Sequence, residues 1–169
     1  QRQMCIRDRA DFNPFKTLMF DLRFRCKSKL TNLPDENAIL AQTQNQNTYT
    51  ARLHCKVQVS KSLILRSRIE FKTIRADSTG KEEGLLLYQD LVYRFSRIPL
   101  QLSMRYALFR TDDYASRLYA YEDDVLYSYS IPALYDEGNR SYAVVRYELL
   151  KSLTLWLKWS RTCIHDVTG

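Results

Sequence analysis

The sequence predicts an all-β chain, folded as an antiparallel up-and-down meander that forms part of a transmembrane β-barrel. Apolar residues occupy every second position of several extended segments, with charged residues between them. The connections alternate between very short and long, which is typical of barrels with short turns on one rim and long loops on the other. No stretch reaches the roughly 18 consecutive apolar residues of a membrane helix, so any membrane span must consist of strands.

The alternation predicts seven spanning strands, each long enough to cross a bilayer at a tilt. They are residues 17–27, 48–60, 63–75, 85–95, 100–110, 141–149 and 153–162. The short turns of one rim are residues 60–62, 96–99 and 150–152. The other rim carries the long connections, which would face the cell exterior; they are residues 28–47, 76–84 and 111–140.

Alternation alone does not say which face of the sheet is inside. Charges in mid-strand, such as Arg66 and Arg68, and aromatic residues near strand ends, such as Tyr93 and Trp159, favour a membrane barrel with apolar residues outward. A soluble lipocalin-like barrel that binds an apolar ligand has the same period with its apolar residues inward. It is the first alternative.

The long connection at residues 111–140 is predicted to be an extracellular hairpin loop that projects above the barrel. A spanning strand there would move short turns onto the outer rim, so we expect residues 117–121 to pair with 125–129 instead. Its aromatic and acidic side chains are Tyr119, Tyr121, Glu122, Asp123, Asp124 and Tyr127. They could bind a sugar, a divalent cation or a protein. The favoured interpretation is structural, with tyrosines packed on the barrel mouth and the acids solvated.

Four basic residues recur at the same offset along the strands that run from the short-turn rim to the long-loop rim, on the charged face. They are Arg23, Arg68, Arg105 and Lys158. Equal offset from one rim predicts a basic band on the inner wall, blurred by the shear between strands. Such a band could form an electropositive constriction that favours anions. We favour an ion-pair lattice with Asp21, Glu70, Asp90 and Glu148, because charges inside a barrel normally have partners.

Other chemistry has little support in the sequence. The net charge of +7 is spread singly through the strands, so nucleic-acid binding is not expected. His165 and Asp166 resemble part of a hydrolase site, which makes an outer-membrane hydrolase the second alternative, but we predict no enzyme and no catalytic residues. No close Cys/His group indicates a metal, and no cofactor is expected. Cys26 and Cys55 lie too far apart in the expected register to form a disulfide.

The first nine residues, QRQMCIRDR, do not fit the strand pattern. They resemble a sequencing-adapter artefact, so we expect residues 1–9 to be a non-native leader outside the fold. Residues 10–169 are then the incomplete outer-membrane barrel.

Several motifs between Gly84 and Arg161 resemble the C-terminal barrel of Bacteroidota-type outer-membrane proteins that carry an upstream helix-hairpin-helix region. The motifs are RYALF at 105–109, YAYEDDVLY at 119–127, IPA at 131–133, GNR at 138–140 and LTLWLK at 153–158. The resemblance implies the outer membrane of a Gram-negative bacterium, contact with its lipid, and a role as a membrane anchor or as a pore for small solutes. We expect the chain to be a fragment, truncated at both ends.

Overall fold

The computed structural model describes residues 4–32, 43–76 and 80–165. Its ten strands, in chain order, are β1 (Met4–Phe15), β2 (Leu18–Asn32), β3 (Thr43–Gln58), β4 (Leu63–Ala76), β5 (Gly80–Arg94), β6 (Leu100–Thr111), β7 (Leu118–Tyr119), β8 (Ala133–Leu134), β9 (Glu137–Leu150) and β10 (Leu153–Ile164). Eight of them form one antiparallel sheet in the order β1-β2-β3-β4-β5-β6-β9-β10, and β7 pairs with β8. The predicted all-β up-and-down meander is confirmed. In the described part of the chain, no helix is long and apolar enough to cross a membrane.

The sheet contains one strand more than the seven predicted, because β1 includes part of the presumed leader. Met4 lies opposite Ser28 of β2, and Ala10 lies opposite Leu22. The expectation that residues 1–9 lie outside the fold is therefore wrong for residues 4–9, while their non-native origin stays a prediction. The pattern was hard to recognise because Asp8 interrupts the apolar positions of β1.

The strands extend further toward the loop rim than their apolar residues indicate. β2 continues to Asn32, β3 begins within the polar QTQNQN tract, β5 begins at Gly80 and β9 begins at Glu137. Backbone hydrogen bonds hold these extensions, so the ladder continues where the side chains become polar. The predicted register of β2 and β3 is confirmed, since Cys26 lies opposite Tyr49. The four cysteines are free.

The two faces of the sheet differ sharply in chemistry and exposure. One face, called here the outer face, carries exposed apolar side chains such as Leu87, Tyr106 and Trp159. The opposite inner face carries charged residues in mid-strand, and Asp90 and Arg105 there are 1% and 6% exposed. Charged side chains are therefore buried on the inner face together with apolar ones such as Leu86 and Phe109, while large apolar side chains are exposed on the outer face.

The sheet is curved around its inner face. Arg66 of β4 and Lys158 of β10 each contact one of two consecutive residues, Asp123 and Asp124, at 2.6 and 2.9 Å. Four strand spacings separate β4 from β10, which would be about 19 Å in a flat sheet. Both side chains reach the same short segment because the strands bend around it.

Candidate functional site

The connection between β6 and β9 folds into the space enclosed by the inner face. The segment Asp113–Tyr135 is called here the inner loop. It begins with a 3-10 helix, Tyr114–Ser116, which Asp113 caps by accepting a hydrogen bond from the Tyr114 N–H at 2.7 Å. Strands β7 and β8 then form a short ladder, and a bridge joins Glu122 to Ser130. The predicted pairing of residues 117–121 with 125–129 is wrong.

Gly84 of β5 lets the inner loop approach the inner face of the sheet, which is called here the wall. A Cβ atom added at this position would lie 2.6 Å from the carbonyl oxygen of Ser116, closer than real Cβ contacts allow. Ser116 is fully buried. The glycine is therefore needed because a backbone group of the inner loop occupies the place of its side chain.

A small apolar cluster joins the inner loop to the wall. Leu118, Ala120 and Leu134 of the loop are buried against wall residues of β5 and β6. The whole cluster is Leu86, Tyr88, Ala107, Phe109, Leu118, Ala120 and Leu134. The expectation of a hairpin that projects above the barrel is therefore wrong, since projection would leave this apolar surface in water.

The acidic residues of the inner loop pair with basic residues of the wall. Arg140 donates to both oxygens of Glu122 at 2.6 and 3.0 Å, and Lys158 lies 3.3 Å from the same carboxylate. Lys158 also donates to Asp124 at 2.9 Å. Arg66 donates to Asp123 at 2.6 Å. Three consecutive carboxylates thus neutralise cations from three different strands. A buried cation needs such a partner, because an unpaired buried charge is strongly destabilising.

The aromatic residues of the inner loop take the opposite positions from those expected. Glu122 is 1% exposed, whereas Tyr127 is 90% exposed. Tyr119 and Tyr121 are about half exposed. The interpretation with packed tyrosines and solvated acids is therefore wrong, because the buried cations of the wall attract the carboxylates. Tyr127 has a φ of 65°, in the left-handed region that costs energy for a residue with a Cβ.

Three of the four predicted basic-band residues have the partners proposed for an ion-pair lattice. Arg23 donates to Asp21 at 2.7 Å, and Arg105 donates to Asp90 at 2.5 and 2.8 Å. Arg68 pairs with Glu70. Lys158 instead pairs with the inner loop, and Glu148, the remaining carboxylate of the predicted lattice, pairs with Arg146. Arg68, Arg105 and Lys158 contact the inner loop, while Arg23 lines a separate cavity.

Basic side chains of the wall also bind backbone carbonyls of the inner loop. Arg105 donates to the Tyr121 carbonyl at 2.7 Å, and Lys72 donates to those of Ala115 and Arg117 at 3.0 Å. Loop carbonyls away from water need such donors. Arg105 also lies 3.7 Å above the ring of Tyr88, so Asp90, the Tyr121 carbonyl and this ring together fix its position.

Asp124 stays ionised in this setting. Burial disfavours its charged form, but hydrogen bonds from Ser130, Lys158 and the Val125 N–H outweigh that effect and lower the pKa of Asp124 to about 2. The contact to Lys158 is therefore an ion pair throughout the physiological pH range.

Sequence reasoning missed four wall residues that hold the inner loop, one of which is Lys72 of β4. Arg66 and Arg140 bind Asp123 and Glu122, and the Tyr142 hydroxyl accepts a hydrogen bond from the Asp123 N–H at 3.2 Å. Alternation did predict the face on which Arg66 and Tyr142 lie, whereas Arg140 fell within the predicted long connection at residues 111–140. It contains no signal for their partners, which are 18 to 57 residues away in sequence.

The inner loop leaves two cavities beside it. The first, of about 660 Å³, lies against β2, β3 and β4 and extends to the 3-10 helix of the loop. The second, of about 390 Å³, lies nearer the short turns, between the Tyr121–Asp124 part of the loop and side chains such as Arg94 and Trp156.

The residues that suggested a hydrolase are only partly described by the structure. Asp123 and Asp124 of the inner loop contact Arg66 and Lys158. Asp166 lies outside the described residues. Among residues 4–32, 43–76 and 80–165, no group of three or more His, Cys, Asp or Glu side chains could hold a metal ion.

Comparison with known proteins adds no relative. No protein-family model, curated protein or solved structure matches the chain.

Proposed function

We propose that this chain is a non-enzymatic segment of an outer-membrane β-barrel and that it serves as a membrane anchor whose lumen is filled by its own loop. The observation that carries this proposal is the distribution of apolar and charged side chains between the two faces of the sheet. Leu87 and Tyr106 are exposed on the outer face, while Asp90 and Arg105 are buried and paired on the inner face. Lipid against the outer face would remove that apolar surface from water.

The soluble lipocalin-like alternative fits these observations poorly. It requires apolar residues around an enclosed ligand site, but the described inner face carries ion pairs across β4, β5 and β6. A Gram-negative outer membrane remains the proposed location, in line with the resemblance of residues 84–161.

The inner loop favours an anchor over an open pore. It is held by buried apolar contacts, by the pairs of Glu122 and Asp124 with the wall, and by the contacts of Arg105 and Lys72 to its carbonyls. A large open channel would need all of these contacts to break together. We therefore expect no steady large conductance when the chain is inserted in a planar bilayer, and a stable large conductance would favour the pore.

The decisive experiment compares arginine substitutions at two depths on the outer face. Leu87 lies at the middle of β5, and Tyr93 lies near its turn end with a similar exposure. In a bilayer, Leu87→Arg should destabilise the inserted protein by about 2–4 kcal/mol, and Tyr93→Arg by about 0–1 kcal/mol. Urea titration of both variants in phospholipid vesicles measures the difference.

Recovery of the chain in the outer-membrane fraction, with heat-modifiable migration on gels, is the accompanying measurement. Equal destabilisation at the two depths, or recovery as a freely soluble monomer, would contradict the proposal. Tyr93 is the matched control because it tests the same charge on the same face of the same strand.

A further inference from the structure

The 660 Å³ cavity between β2, β3, β4 and the inner loop is strongly basic. Eight of its lining side chains are Lys or Arg, and Glu70 is the one carboxylate among the described lining residues. Arg52 and Arg68 already pair with Glu70. The volume is in the usual range for small-molecule sites.

Strand β2 supplies four of these cations at alternate positions, Arg23, Arg25, Lys27 and Lys29, and Arg23 pairs with Asp21. Among the described residues, none of the other three forms an ion pair. The wall beneath the inner loop differs, because Arg105 and Lys158 there have carboxylate partners. Within the described part of the chain, Arg25, Lys27 and Lys29 thus lack the carboxylate partners that Arg105 and Lys158 have.

The register places these cations around a hydroxyl group. Arg25 lies opposite Arg7 on one side and opposite Thr50 on the other, and Thr50 lies opposite Lys72. Like charges on directly opposed residues destabilise a sheet. Arginine forks, an ammonium group and a hydroxyl are donors that suit the several oxygens of a phosphate anion.

We infer that this cavity binds a compact anion that carries several phosphate groups. Such an anion would satisfy the unpaired donors of β2 together with Lys72. The ligand would arrive from solution, because the cavity lies on the inner face while the apolar residues that suit lipid lie on the outer face.

Isothermal titration of the folded full chain with inorganic tripolyphosphate, in micelles of an uncharged detergent at low salt, tests this inference. Wild type should bind, and the triple variant Arg25→Gln/Lys27→Gln/Lys29→Gln should bind about 100-fold more weakly, at roughly five-fold for each lost charge. The matched control is Lys56→Gln/Arg94→Gln, which removes charge from the second cavity. Its affinity should stay within about three-fold of wild type.

Heat-modifiable migration checks that each variant folds. If the triple variant does not fold, Lys27→Gln alone should weaken binding about five-fold. A second titration uses micelles that contain an anionic phospholipid, which should not compete with tripolyphosphate. Absent binding by wild type, equal losses in the control, an unchanged affinity in the folded variant, or displacement by phospholipid would each overturn the inference. None of these outcomes depends on whether the barrel is an anchor.

Discussion

Glu122→Gln is expected to release the inner loop from the wall. The change keeps the shape of the side chain and removes the charge that faces Arg140 and Lys158. Removing one partner of a buried ion pair costs about 3–5 kcal/mol. Arg140 keeps a hydrogen bond to Thr162 and Lys158 keeps Asp124, so we expect the lower end, about 3 kcal/mol. The open state should then be roughly 150-fold more populated.

Amide hydrogen exchange of the peptide that covers residues 118–124, followed by mass spectrometry in detergent micelles, measures this population. Slow exchange in wild type and roughly 150-fold faster exchange in Glu122→Gln are expected. The control is Glu148→Gln, because the exposed pair of Glu148 with Arg146 does not involve the loop. It should alter exchange less than about five-fold. Exchange in Glu122→Gln at the wild-type rate would refute the role of these ion pairs.

Three further predictions concern the same wall and loop. Arg105→Lys loses the two-point contact with Asp90, so we expect a loss of stability of about 2–4 kcal/mol. The temperature at which gel migration shifts should therefore fall, and an unchanged temperature would contradict this prediction. Gly84→Val forces a side chain against the carbonyl of Ser116 and should destabilise the seated inner loop by about 1–3 kcal/mol. Tryptic cleavage of the loop should then be faster, and an unchanged cleavage rate would contradict the close approach. The depressed pKa of Asp124 means that its stabilising effect is complete above pH 3.8 and is lost as the pH falls toward 2. Pepsin should therefore cut the loop slowly at pH 4 and rapidly at pH 2, and equal rates would contradict this.

The sheet could be predicted from the sequence because its signal is local. Leu102 and Met104 alternate with Ser103 and Arg105, and this alternation fixes the two faces of β6 whatever the neighbouring strands do. The short turns gave the order of the strands for the same reason. Polar strand ends and β1 were missed because the backbone ladder continues without an apolar pattern, as it does through residues 43–47 of β3.

The position of the inner loop could not be predicted in this way. Its direction depends on Arg140, Lys158 and Arg66, which come from three strands and meet only after the sheet curves. Residues 127–130 read Tyr-Ser-Tyr-Ser, and this alternation of aromatic and polar residues fits a projecting hairpin equally well. Charge complementarity between distant residues decided the outcome, and a single sequence does not specify such pairs.

The meander also implies an order of assembly. Most long strands can pair with the strand synthesised directly before them, so the sheet can form by successive addition of neighbouring strands. Lys158, however, belongs to β10, and without it Asp124 lacks this cationic partner. Seating of the loop is therefore expected to follow the addition of β10, so that protection of the loop amides reports that β10 has joined the sheet.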